Sequence, residues 1–551
     1  MSIQQFKPGE QPRVPRGSAC LSCRRRKMDC EFTDGPTPSP TQVLERHVAR
    51  LEARIRELES AEPQARPGPS RHVSQPRRSI YHEWGVDIEP SSPTLSEGRG
   101  PSRAGVPGSP ATSTEPVVSP DPTVEPHVAT IRLLVSIFVT HASQVGFFLN
   151  LARFLDIIYL PDVTVRRRVL SCALLDVVLL WGAHLSSNDS IKAHESTFLT
   201  RAVKSVLEAL PLISSRQHNA VHVIQAEVLL ANYFFCQARS LEGTYHCSAA
   251  VALALSCRLN LQRGSPQIGG SPSGFILAPA SDAIEEIERT NAFWAAFILD
   301  RTWTVASGPL PNDVFSGLQI SAPWPADTAG HEQRATMQGP NHDTVQGFLN
   351  NPAPGYAADG LSPLALRAKA AALFERATRV AAQNTPGNFD NVYVEYHRLD
   401  NLIKHYSGAL IPVNRPDVAS NPEAMANLLV THTYVRVALI RLHANRDPSL
   451  PNQGDDLTAA RQAVAVLDAV RLDDLPFLDP ILGVLWTSVC QVLATAIGRF
   501  GSNNTRERQS LVGSLQRVLG AMARYRNSSA LMSSQFALVQ QNLSRMNLSP
   551  A

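Results

Sequence analysis

The sequence predicts a mainly α protein. A large all-helical domain over 127–547 follows a short basic segment, a coiled-coil helix and a disordered linker. From residue 127 onward apolar residues recur at helical spacing, and strand signals are sparse. Residues 61–126 are rich in Pro, Ser, Gly and Arg and poor in aliphatic residues, so they bury too little apolar surface to offset chain entropy. Between them and the N-terminus, Leu44, Val48, Leu51, Ile55 and Leu58 repeat at alternating four- and three-residue steps, the seam of a coiled coil.

At 551 residues the chain is long enough to bury a large core, and its 43% hydrophobic content is that of a globular protein. The net charge of +3 hides an asymmetry: residues 1–28 carry +6, leaving −3 for the rest. A compact basic end on a near-neutral body points to a polyanion partner, most simply nucleic acid. The first 19 residues lack the apolar run of a secretory signal, so the eight cysteines are expected in a reducing compartment without a disulfide framework. Val169–Leu185 is the most membrane-like stretch, but it is short for a span and contains Asp176 and His184. It reads as a buried helix, and no membrane partner is expected.

The elements follow in order. Residues 1–38 are basic, proline-punctuated and carry three closely spaced cysteines. Residues 39–60 form the coil helix, opened by Ser39-Pro40-Thr41-Gln42, which has the pattern of a capping box with proline at the first helical position. Val48 and Ile55 at the a positions, with leucine at d, favour a parallel two-stranded coil, and Arg54 would face Glu59 of the other chain. The seam covers barely two heptads and is marginal alone. The other reading is a solvated amphipathic helix packed on its own protein. After the linker come helices expected at about 128–156, 165–186, 192–211, 216–238, 242–259, 282–306, 363–383, 391–410, 421–445, 456–471, 479–500, 505–524 and 528–546, with 323–360 as a long loop.

The chemistry-bearing segment is Cys20-Leu21-Ser22-Cys23-Arg24-Arg25-Arg26-Lys27-Met28-Asp29-Cys30. A C-x2-C pair lets one turn present two thiolates to a zinc ion, which prefers tetrahedral sulfur ligation. Followed by a basic run, a third cysteine and a coil seam, it resembles the fungal binuclear zinc-cluster transcription factors, the galactose-regulator type, in which six cysteines hold two zinc ions. The resemblance implies zinc as cofactor, Cys20, Cys23 and Cys30 as ligands, and a double-stranded DNA partner with CGG-type half-sites. It also implies Arg24, Arg25, Arg26 and Lys27 as DNA contacts. Lys27 would reach guanine, whose O6 and N7 both accept, while the arginines would mostly hold phosphate. The coil would pair two clusters as a homodimer or heterodimer.

The sequence departs from that pattern. No cysteine occurs between Cys30 and Cys172. Cys30 is either the third ligand, which its spacing from Cys23 fits, or the sixth, with about twenty residues missing after Met28. The second register is preferred: Asp29 sits where the family has a basic residue, and Cys30-Glu31-Phe32-Thr33-Asp34-Gly35 resembles the exit of a finished cluster. In either register three thiolates cannot build two tetrahedral sites with bridging sulfurs, so zinc occupancy is expected to be impaired.

In the large domain there is no G-x-S-x-G, Walker loop, dinucleotide fingerprint or H-E-x-x-H, so no catalytic residue is assigned and no enzyme is expected. His246, Cys247 and Cys236 read as core residues. Glu285-Glu286 and Asp455-Asp456 read as first-turn acids that offset the helix dipole. The run Glu288 to Arg301, holding Phe293-Trp294 and Leu299-Asp300-Arg301 and followed by Ser307-Gly308-Pro309-Leu310-Pro311, resembles the regulatory middle-homology domain of the same fungal family. Trp294, Phe297 and 299–305 read as core, with Asp300 and Arg301 as ion-pair residues. The resemblance implies a nuclear, sequence-specific regulator of RNA polymerase II transcription, with a small-molecule effector or coregulator on the helical domain. The alternative is a dimerising regulatory protein that lacks autonomous DNA binding.

Overall fold

The computed structural model describes residues 126–215, 219–262, 275, 277–306, 314–326, 345–350, 361–383, 389–444, 454–499 and 505–548. The cysteine trio, the basic run, the coil seam and nearly all of the expected linker lie outside them. Among the described residues there is no strand. The all-helical expectation for the large domain holds.

The first half comprises α1 (Val128–Val139), α2 (Leu151–Ile158), α3 (Val163–Val169), α4 (Cys172–His184), α5 (Asp189–Lys192), α6 (Glu195–Ala209), α7 (Asn219–Cys236), α8 (Ser240–Ser256) and α9 (Ala283–Ala306). The second comprises α10 (Val345–Asn350), α11 (Pro363–Gln383), α12 (Phe389–Ala409), α13 (Pro416–Ala419), α14 (Pro422–His443), α15 (Asp455–Asp468), α16 (Ile481–Arg499), α17 (Thr505–Tyr525) and α18 (Ala530–Arg545).

Three expected helices are divided, and one expected loop contains a helix. The segment 128–156 breaks between α1 and α2, where Gly146 takes a left-handed φ of 90°. A side chain there would be strained, and a Cβ would lie 2.7 Å from Asn232 Nδ2. Buried Gln225 fastens the break: its Nε2 donates to the Gly146 carbonyl at 3.1 Å, and its Oε1 accepts from the Phe148 amide at 2.7 Å. Asn150 then caps α2 through the Arg153 amide. The segment 165–186 divides at Leu170, whose extended backbone separates α3 from α4. The segment 192–211 divides at His194, between α5 and α6. Within the expected loop 323–360, α10 forms because Phe348 is buried against Trp324 and Tyr406.

Two helices are enclosed by their neighbours. α4 packs on α1, α6 and α7, and every residue from Ala173 to Ala183 is buried. A Cβ at Gly182 would collide with the Leu134 carbonyl oxygen, so only glycine permits the observed α1–α4 crossing. α14 packs on α11, α12, α15 and α16. It starts sharply: Asn421 accepts from the Glu423 and Ala424 amides, and Pro422 takes the first position. α9 bridges the halves, touching α7 and α8 on one side and α11 on the other.

The one helix long and apolar enough to cross a membrane, among the described residues, is α16 rather than Val169–Leu185. Its apolar window is 83% buried inside the body, which accounts for its composition.

Candidate functional site

A cavity of about 460 Å³ opens where the two halves meet. α9 supplies one wall with Asn291, Ala295, Ile298, Leu299 and Thr302, positions that share one helix face. α7 adds Val228 and Asn232, the α1–α2 connection adds Phe147 and Leu149, and α2 adds Leu151. The opposite wall comes from Pro363, Leu364 and Arg367 of α11, from Tyr434 of α14, and from Asp479 and Ile481 at the start of α16. Ser143 and exposed Glu423 stand at its rim.

The walls are mostly apolar and carry a few placed polar groups, the usual composition of a small-molecule site. Thr302 Oγ1 and the Tyr434 hydroxyl share a 3.0 Å hydrogen bond. Arg367 Nη2 lies 2.8 Å from Asp479 Oδ2, a buried ion pair. Asp479 Oδ1 accepts from the Ile481 amide at 3.0 Å. Burial raises the Asp479 carboxyl above its ordinary range, and the Arg367 charge offsets this only in part. Burial likewise raises the Tyr434 hydroxyl. Asn291 donates from Nδ2 to the Ala326 carbonyl at 3.2 Å, while its Oδ1 has no hydrogen-bond partner. No His, Cys or Lys lines the cavity. The arrangement can bind and orient; it presents no nucleophile–base pair.

Two other clusters look reactive and are structural. His184, Glu195 and Cys236 form a relay: His184 Nδ1 lies 2.9 Å from Glu195 Oε1, and His184 Nε2 lies 3.8 Å from the Cys236 sulfur. The thiol is fully buried, so no substrate reaches it. Burial works against the charged ring, but hydrogen bonds and charge from Cys236 and Glu195 outweigh it and raise His184 to about 10. The cluster ties α4 and α7 to the α17–α18 turn, where His184 Nε2 also meets the Ser528 carbonyl at 3.3 Å. In the second cluster, Asp400, His443 and Asp455 bring ligand atoms within 4.8 Å of one another. Lys404 already supplies a cation there, 2.9 Å from Asp400 Oδ2 and 3.1 Å from Asp455 Oδ2.

The other sequence readings separate cleanly. His246, Cys247 and Cys236 are buried, and His246 pairs with Glu227 at 2.6 Å. Trp294 is core, stacks on Trp324 at 4.4 Å and donates to the Pro323 carbonyl at 2.6 Å. Arg301 pairs with Glu375 of α11 at 2.9 Å. Glu285, Glu286, Asp455 and Asp456 occupy first turns as expected. Asn291, Arg367 and Asp479 were not singled out by sequence. An isolated polar residue in an apolar helix is a weak signal until a facing helix shows what it meets.

Set against known protein families, a match falls largely in the first half. Residues 147–362 carry a fungal specific transcription factor domain. The match spans less than half of the chain. It runs from the α1–α2 connection through α9 to Ser362, and so holds one wall of the cavity and the Trp294–Arg301 run that carried the resemblance. The matched domain is a non-catalytic one. No curated protein and no solved structure matches the chain significantly. The cysteines that would hold zinc, Cys20, Cys23 and Cys30, lie outside the described residues, and their number falls short of a two-zinc cluster. The five described cysteines form no disulfide with one another and are scattered through the helical body.

Proposed function

We propose that the chain is a nuclear transcription regulator that acts through its helical domain and a dimerising coil, without autonomous zinc-cluster DNA binding. The observation that carries this reading is the fungal specific transcription factor domain, in a chain whose cysteine segment supplies three ligands where two zinc sites need six. Small metal domains fold on their metal, so a half-cluster cannot hold its basic helix against DNA unaided. The coil through Leu44, Val48, Leu51, Ile55 and Leu58 would recruit a partner with an intact cluster, and the helical domain would receive a small effector or a coregulator.

Direct binding to CGG-type DNA is the second reading, and the basic run Arg24–Lys27 after Cys23 favours it. Zinc stoichiometry of the purified chain, with mobility shifts on CGG-containing duplexes, decides between them. The first reading expects fewer than two zinc ions per chain and no specific shift. Two ions and a specific shift would replace it with the second. Sequencing the transcript across Met28–Asp29 shows whether an in-frame segment supplies the missing cysteines. Leu51→Glu is expected to abolish self-association or pairing in light scattering.

A further inference from the structure

We propose that the exposed face formed by α1, the end of α2 and α3 docks the chain's own acidic, aromatic segment Ile80–Glu89. This goes beyond the regulatory reading and stands whether or not the cysteine segment binds zinc.

α3 is built inside out. Val163, Val165 and Val169 are 38%, 41% and 41% exposed, while Arg166 on the same helix is buried. The helix packs on α2, and its sequence is a poor helix former, because Val163, Thr164, Val165 and Val169 are β-branched. So short a helix persists through packing, yet the valines that could pack face outward. The apolar surface continues onto the neighbouring elements. Tyr159, which closes α2 just before Asp162 caps α3, is 45% exposed. The Arg132 guanidinium of α1 lies 5.8 Å from its ring centroid. Val128, one turn before Arg132 on the same face of α1, is exposed as well. Single exposed apolar side chains are ordinary, but a run of them across three neighbouring elements marks an interaction surface.

Charge selects the occupant. Residues 126–170 hold Arg132, Arg153, Arg166, Arg167 and Arg168 against Asp156 and Asp162. Arg153 pairs with Asp282, and Asp162 accepts from the Thr164 amide as the cap of α3. Arg167 and Arg168 are exposed among the valines. The face is apolar and basic, so its complement is apolar and acidic.

The chain carries such a complement. Residues 79–98 hold Glu83, Asp87, Glu89 and Glu97 with no Lys or Arg, and Trp84 is the one tryptophan of residues 1–125. Trp84, Val86 and Ile88 alternate with Glu83, Gly85, Asp87 and Glu89, so an extended backbone would present an apolar row on one side and acids on the other. Arginines suit the indole ring as well as the carboxylates. Residues 115–125 are also acidic, but they hold no aromatic residue and are interrupted by Pro116, Pro120 and Pro122. Reach is no obstacle. Residues 90–125 separate Glu89 from the described body, and a random chain of that length would span roughly 30–35 Å, against about 18 Å for the whole of α1. Tethering raises the effective concentration, so a weak contact suffices. Docking would leave 61–79 as the span between the coil helix and the body in place of 61–125, and so would set how far the N-terminal segment reaches.

The test uses the purified full-length chain with the photo-cross-linking residue p-benzoylphenylalanine in place of Trp84, light and isotope-labelled copies being mixed before irradiation. Cross-links into residues 128–169 of the same copy are expected. Val163→Ser with Val165→Ser should lower their yield at least roughly tenfold with helical circular dichroism retained. If that variant unfolds, Glu83→Arg with Asp87→Arg and Glu89→Arg alters the segment alone and should lower the yield equally. Leu241→Ser, at a 72% exposed position on α8, should leave it unchanged. A matching loss in Leu241→Ser would reduce the contact to non-specific adhesion and overturn the site. Cross-links between light and labelled copies would give the face to a second copy of the chain and overturn the intramolecular docking. Cross-links outside 128–169, or yields indifferent to both sets of substitutions, would overturn the face itself.

Discussion

The two helices most enclosed by their neighbours, α4 and α14, are buried in different ways. α4 is almost wholly aliphatic, with Asp176 as its buried carboxylate, paired with Arg201 at 2.7 Å. Its position is set by closeness: Gly182 lets α1 lie against its backbone. α14 instead carries buried Thr431, His432, Thr433, Tyr434, Arg441 and His443. His432, Tyr434, Arg441 and His443 reach across to the Ile411 carbonyl, Thr302 of α9, Ser488 of α16 and Asp400 of α12 respectively. Nδ1 of both His432 and His443 is left without a partner. Apolar packing holds α4 against any complementary surface, whereas directed polar links specify which neighbour stands where. α14 lies beyond the matched domain, which ends at residue 362.

The largest test of this contrast is Glu375, which Arg301 of α9 and Arg379 of α11 both reach. Glu375→Ala removes the buried carboxylate that both arginines reach and should cost about 3–5 kcal/mol in urea unfolding. In the first half, Gly182→Ala should cost about 3 kcal/mol, because the added methyl meets backbone that cannot move alone. If Gly182→Ala proves neutral, α4 is not held by close approach. If Glu375→Ala proves neutral, the polar links are incidental.

The pH dependence gives a smaller effect. Folded His184 keeps its proton to about 10, whereas an unfolded histidine releases it near ~6.5. Its stabilisation is therefore complete below about 6.5 and is lost as pH rises towards the folded value. Glu195 is held below its ordinary range: burial opposes this, and His184 and Tyr233 outweigh it. Its contribution is present above ~4.5 and falls away as pH drops through the lowered value. Melting temperatures from pH 6 to 10 should decline more steeply in the parent than in His184→Gln, and parallel curves would exclude the pair as a stabiliser. The smallest effect is at the start of α14. Asn421→Ala should cost about 1 kcal/mol through the lost cap, measurable as a shift in urea midpoint at unchanged slope.

Much of the helical body was legible in the sequence because helices leave a local periodic signature. α9, α11 and α14 begin and end within a few residues of expectation, since Pro363, Asn421-Pro422 and the first-turn acids mark their starts in the chain itself. The breaks at Gly146, Leu170 and His194 were not legible. Apolar spacing continues through each, and the break is enforced by distant residues such as Gln225. The core roles of Trp294, His246 and Cys236 followed from composition. The partner of Arg301 did not, because Glu375 lies on another helix.

The sequence by itself determined the helical class, the charge asymmetry of the N-terminus, the shortfall of cysteines and the run that carries the family likeness. Each is a property of neighbours along the chain. Only the tertiary structure decided where a ligand could sit. Asn291, Arg367 and Asp479 are far apart in sequence, and each is unremarkable on its own helix. They become a site because α9, α11 and the start of α16 bring their polar atoms to one apolar cavity. There the low dielectric makes each unpaired atom costly and each added charge more so.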